Sequence, residues 1–113
     1  MRREDLMIGF WYKWYAENKY YYLQVTSDTF KFSDDTIANF EPIELTPEIL
    51  EQNGWHKDSL FDDWYGPVNI YGHNAPFITI GSAEIRYVHE LQMLLKLHKK
   101  DINLKLESYY EQL

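Results

Sequence analysis

One stretch, EIRYVHELQMLLKLHKK at 84–100, constrains the fold of this chain more than any other, because in it apolar residues recur at helical spacing over four turns or more. Ile85, Val88, Leu91, Leu95 and His98 fall on one side and Leu94 widens the stripe. Everything before it is short, aromatic and strand-like, so a main helix over 84–100, starting between Ala83 and Val88, is the object on which a small sheet would pack.

The chain has 113 residues, which suits one domain over 1–113 with one core. Of its 20 aromatic residues, 15 lie in the first 65, and aromatics favour strands, so residues 6–44 are predicted to be β-rich. Strands are expected at 8–15 (IGFWYKWY, aromatic on both faces), 20–26, 29–33 and 36–41, too close in sequence for parallel crossovers. Next comes LTPEILEQNGW at 45–55. Thr46 can cap a helix, Pro47 suits its first position, Leu45 and Leu50 stand at staple spacing, and Asn53-Gly54 supplies a left-handed stop. A short helix over 47–53 follows, with Trp55 folding back on its end. Residues 56–65 read as loop or edge strand. Gly72 to Pro76 is a turn-rich loop inside a hairpin at 67–81. Ile102, Leu104 and Leu106 alternate with polar residues, a C-terminal strand over 101–107. The predicted class is α+β: a twisted antiparallel sheet, meander or partial barrel, packed by the long C-terminal helix, with a second short helix.

The segments LTPEILEQNGW and IRYVHELQML resemble a group of small uncharacterised proteins of gut Bacteroidetes, their prophages and mobile elements. Leu6, Ile8 and Gly9 match the start of that group and Phe10 departs from it; Met93-Leu94-Leu95 and residues 97–100 replace its usual helix ending. The resemblance implies an accessory or phage-associated gene context and no established activity.

Charge narrows the function. The net is −7, and residues 28–63 carry ten carboxylates against two lysines. Sequence-neutral binding to DNA or to an anionic membrane needs clustered Lys and Arg, so neither suits this chain. There is no cysteine, which removes disulfides and thiolate chemistry. No apolar run is long enough to span a bilayer and MRREDLMIG has no signal-like core, so the expected location is cytoplasmic. His89-Glu90 begins like a zincin helix, but position 93, where the second ligand belongs, is Met93. His56, His73 and His98 fit no local metal site, Gly66, Gly72 and Gly81 are isolated turn glycines, and Asp34-Asp35 and Asp62-Asp63 read as solvated turns. No metal, cofactor or catalytic residue is expected.

The aromatic excess has two readings. Phe10, Trp14, Tyr21, Phe30, Phe32 and Phe40 can simply build a core. Alternatively, Trp11, Tyr15, Trp55, Trp64 and Tyr65 form an exposed, acid-flanked patch that binds a partner, since alternation would leave one face of the first strand uncovered. The first functional reading is therefore a non-catalytic accessory protein with a protein partner. Alternatives are a nucleic-acid-binding half-barrel stacking bases on Trp11, Tyr12 and Tyr22, or an acidic DNA mimic acting on a host DNA-binding enzyme; a small enzyme ranks last. A homodimer through the aromatic sheet is compatible with each.

Overall fold

The computed structural model describes residues 1–58, 63–71, 77–79, 84–106 and 109–110, with backbone alone for 77–79 and 109–110. In chain order the described elements are a 3-10 turn (Arg3–Asp5), β1 (Trp11–Ala16), β2 (Lys19–Gln24), a second 3-10 turn (Ser27–Lys31), α1 (Asp34–Ala38), α2 (Pro47–Gln52), β3 (His56–Lys57), β4 (Trp64–Tyr65), β5 (Ile70–Tyr71), β6 (Phe77–Thr79), β7 (Glu84–Ile85), α3 (Val88–Leu97) and β8 (Tyr109–Tyr110). The chain is α+β, with antiparallel strands and a C-terminal helix. Its strands nevertheless divide between two sheets, β1-β2-β8 and β3-β4-β5-β6-β7, where one had been expected. Two compact units result, Met1–Ile43 with Leu106–Leu113, and Glu44–Lys105.

In the first unit, β1 and β2 pair from Trp11↔Gln24 to Ala16↔Lys19 around the two-residue turn Glu17-Asn18. Both turn residues have positive φ, 54° and 63°, the geometry whose twist matches that of the strands it joins. At the other end of the hairpin Gly9, at φ 94°, donates its N–H to the Val25 carbonyl, while the Val25 N–H returns to the Phe10 carbonyl, each at 2.8 Å. Two residues thus face one, a bulge that needs glycine at its first position.

The strands expected at 29–33 and 36–41 do not form, and residues 29–31 and 36–38 are helical instead. Ser33 explains the second: its hydroxyl accepts the Thr36 N–H at 3.2 Å, and Asp34 and Asp35 occupy the first turn of α1, where the helix dipole favours carboxylates. Local capping decides this segment, and Ile37, three residues from Phe40, is buried with it at helical spacing. Thr26 and Thr29 do the same for the preceding 3-10 turn, the Thr29 hydroxyl accepting the Thr26 N–H at 2.9 Å. Arg3, in the first 3-10 turn, donates to the carbonyls of Phe30 and Phe32 and to Asp34 Oδ1, at 2.9 Å, binding that turn to both helical pieces. Only Glu41 of the 36–41 segment joins the sheet, exchanging two backbone hydrogen bonds of 2.8 Å with Lys13.

In the second unit β3 to β7 form a meander, each strand antiparallel to the next. The expected hairpin at 67–81 is present as β5 and β6, paired through Ile70↔Thr79 and Tyr71↔Ile78; its loop at 72–76 and residues 80–81 lie outside the described residues. Thr46 caps α2, its Oγ1 accepting the Ile49 N–H at 3.3 Å, with Pro47 at the first position. Beyond Asn53, Gly54 at φ 92° sends the chain back. The Trp55 N–H then reaches the Leu50 carbonyl at 3.0 Å and the Gly54 N–H the Glu51 carbonyl at 3.3 Å, the two bonds of a Schellman ending.

The main helix is shorter than 84–100. Glu90 Oε1 accepts the N–H groups of both Arg86 and Tyr87, at 2.8 and 3.0 Å, which fixes the start of α3 at Val88. Glu84 and Ile85 belong to β7. Val88, Leu91, Gln92 and Leu95 are fully buried, whereas His98, assigned to the apolar stripe, is an exposed C-cap. The expected strand at 101–107 is absent over 101–106. Asn103 N–H bonds Asp101 Oδ1 at 2.9 Å, the Ile102 carbonyl accepts from Gln92 Nε2 at 2.8 Å, and the Lys105 peptide is held by a side chain, so the backbone groups that a strand would offer are already spent. Position 107 lies outside the described residues.

Candidate functional site

Exposure in the first hairpin changes along the strands rather than across them. Phe10, Trp11 and Tyr12, successive residues facing opposite ways, are all buried, while Lys13, Trp14 and the β2 residues are half-buried and Tyr15 is 49 % exposed. The candidate site is therefore the tip half of the hairpin.

The turn fixes what meets there. A two-residue loop closed by Ala16↔Lys19 makes Tyr15↔Tyr20 a non-hydrogen-bonded pair, the class in which cross-strand side chains lie closest. Their ring centroids are 5.1 Å apart in an edge-to-face arrangement at 61°. Lys13 is on the same face two residues earlier, with Nζ 4.8 Å from the centre of the Tyr20 ring. Glu41, paired with Lys13 on its other side, places its carboxylate close enough to the Tyr20 phenol to act on it electrostatically. The Glu41 charge is the main reason that the Tyr20 phenol is held above its ordinary pKa, with desolvation adding to it. The Tyr15 hydroxyl bonds Asn18 Oδ1 at 3.3 Å.

A cleft of about 550 Å³ opens beside this group, lined by Tyr15, Ala38, Asn39 and Glu41. It exists because α1 ends there. Asn39, the C-cap at φ −89°, ψ 0°, cannot extend the Glu41 bridge one more pair along β1, and its side-chain amide donates back to the Asp35 carbonyl at 3.1 Å. The opposite face of the hairpin carries Trp14, in tilted contact with Tyr21 at 6.4 Å and with Phe32 at 6.1 Å; Phe32 in turn meets Phe40 edge-on at 6.3 Å.

The five residues assigned to an exposed patch divide. Trp11, Trp55 and Trp64 are buried, which corrects the expectation of exposure. Trp55 has its indole N–H satisfied by the Val68 carbonyl at 2.8 Å, and Trp64 lies on a strand flanked by β3 and β5, with its flat area withdrawn from water. Tyr15 and Tyr65 are exposed, one in each unit. Tyr65 repeats the chemistry of the first cluster: it meets Tyr71 edge-on at 6.4 Å, and its phenol pKa is raised by desolvation first and then by Asp63 and Asp58. Of the residues proposed to stack bases, Trp11 and Tyr12 are buried and Tyr22 is half-buried.

Tyr20, Glu41, Lys13, Ala38 and Asn39 were not assigned to a site from the sequence. Glu41 reads there as one acid among ten, and only the Lys13 bridge brings it to the tyrosines. Among the described residues no three His, Asp or Glu side chains converge on a point that could hold a metal ion, and no helix is long and apolar enough to cross a membrane. Comparison of the chain with family models, with curated proteins and with solved structures gave no match.

Proposed function

We propose that this chain is a non-catalytic accessory protein that binds a protein partner through the aromatic, acid-flanked tip of its first hairpin. The observation that carries this reading is the exposed Tyr15, edge-to-face with the half-buried Tyr20 and set beside Glu41 at the edge of an open cleft. Tyrosine supplies a large rigid contact area with a polar end and loses little conformational entropy on binding, which is why it is enriched among interface anchors. The two-residue turn and the Lys13–Glu41 bridge hydrogen-bond the backbone beneath this surface before any partner arrives, and preorganisation of that kind lowers the entropy that association must overcome. The acidic balance of the chain argues against nucleic acid as the partner.

The test is affinity capture with tagged protein from a lysate of a gut Bacteroidetes species, with nuclease present, comparing wild type with the double substitution Tyr15→Ala, Tyr20→Ala. Both side chains are solvent-accessible, so the variant should keep its circular dichroism spectrum. A protein retained by the wild type and lost by the folded double variant supports the reading. Capture that survives the double substitution, or of nucleic acid alone once nuclease is omitted, overturns it.

A further inference from the structure

Resting on that reading, we infer that the cleft beside Tyr15 receives an arginine side chain of the partner, its guanidinium laid on the Tyr15 ring and hydrogen-bonded to the Glu41 carboxylate. Three features select this group. The cleft offers an accessible aromatic ring and a carboxylate together, the two surfaces that a planar, delocalised cation can satisfy at once and a compact ammonium cannot. Glu41 lines the cleft, and a carboxylate with about four lone-pair sites has room for a bidentate donor. Nearby cations are otherwise engaged: Arg2 with Asp5 at 3.2 Å, Arg3 with Asp34 at 2.9 Å, and Lys13 over the Tyr20 ring. An anionic ligand would meet the Glu41 charge directly.

The backbone adds a second point of attachment. Lys13 turns its N–H and carbonyl outward to Glu41, so on a strand the same groups of Tyr15, two residues on, are directed to the same side, where the cleft begins. An extended partner segment can therefore continue the line of the Glu41 bridge while its arginine enters the cleft. Lys13 is the opposing element. Its charge 4.8 Å from the Tyr20 ring lowers affinity for any cation, and replacing it should strengthen binding.

The probe is the capped tripeptide acetyl-Gly-Arg-Gly-amide, titrated into the full chain and followed by amide chemical shifts, with the citrulline peptide as the neutral isostere. Expected are saturable shifts at Tyr15, Asn39 and Glu41 in the millimolar range, and little or no binding of the citrulline peptide. Tyr15→Phe should bind like wild type, Tyr15→Ala about two- to fivefold more weakly, Glu41→Gln about threefold or more weakly, and Lys13→Gln more tightly. Equal binding of both peptides, absence of shifts at those residues, or weaker binding by Lys13→Gln overturns the inference. If the arginine peptide fails while protein capture still depends on Tyr15 and Tyr20, the arginine assignment alone falls; if capture fails as well, the partner-binding reading falls with it.

Discussion

The side-chain amide of Asn53 closes a ring of two hydrogen bonds with the peptide of Lys105, Nδ2 donating to the carbonyl at 3.0 Å and Oδ1 accepting the N–H at 2.6 Å. One side chain thereby does what a neighbouring strand would do, and the same Nδ2 also reaches the Ile49 carbonyl at 2.8 Å in α2. Asn53→Ala should destabilise the protein by about 1–3 kcal/mol, the loss of two to three modest hydrogen bonds. Urea unfolding measures it; an unchanged midpoint would mean that water replaces the amide at no net cost.

Gly66 lies against the indole of Trp55. A Cβ added there would sit 2.6 Å from Trp55 Cδ1, and a ring held by the Val68 carbonyl cannot swing away without losing that bond. Gly66→Ala is expected to cost about 1–3 kcal/mol as overpacking. Thermal unfolding gives the magnitude, and a shift in tryptophan emission would locate the disturbance.

Lys99 holds a left-handed conformation at φ 57°, where the end of α3 would suit glycine: its N–H bonds the Lys96 carbonyl at 3.0 Å and the next N–H bonds the Leu95 carbonyl at 2.8 Å. A side chain there costs about 1–2 kcal/mol of local strain, against about 0.5–1 kcal/mol of extra chain entropy lost by glycine. Lys99→Gly should therefore raise stability, by up to about 1.5 kcal/mol. A lower melting temperature would contradict this balance.

His89 is partly buried in α3, stacked on Tyr87 with ring centroids 5.8 Å apart and 13° between planes. Burial lowers its pKa below 6.5, and the nearby Glu90 only partly opposes that. A base with a depressed native pKa binds its proton more readily in the unfolded chain, so stability is unaffected well above pH 6.5 and falls as pH drops from about 6.5 toward the native value. His89→Gln should flatten that part of the profile. If wild type and variant lose stability in parallel between pH 7 and 5, other groups are responsible.

Leu91 and Leu97 test which side of α3 is held. Leu91 is fully buried, whereas Leu97 is 72 % exposed. Leu91→Ala should cost about 2–5 kcal/mol and Leu97→Ala less than about 0.5 kcal/mol. Comparable losses for both would place another surface on the outer face of the helix.

Several features followed from local chemistry and were legible in the sequence. Thr46, Pro47, Asn53 and Gly54 place α2 because each acts within a few residues of itself, and Leu91 and Leu95 lie on the apolar stripe that defines α3. The start of α3 is set just as locally, by Glu90 reaching back three residues to Tyr87, yet apolar periodicity alone, which places the start between Ala83 and Val88, misses that signal. Ser33 with Asp34 and Asp35 carried the signal for α1, but the adjacent acids read equally well as a turn between strands.

What the sequence could not determine depends on groups distant along the chain. Arg3 reaching the carbonyls of Phe30 and Phe32, Asn53 replacing a strand for Lys105, and Glu41 reaching Tyr20 through the Lys13 bridge all cross long sequence separations, and nothing in local propensity encodes such pairings. The same holds for exposure. Alternation states which residues share a face of β1, and it correctly put Tyr15 with Trp11. Whether that face is covered varies along the strand, from buried Trp11 to exposed Tyr15, because coverage depends on where other segments of the folded chain end. The sequence by itself determined the α+β class, the short capped helix and the apolar face of the main helix; tertiary structure alone decided that three tryptophans are core and that two tyrosine pairs remain at the surface beside carboxylates.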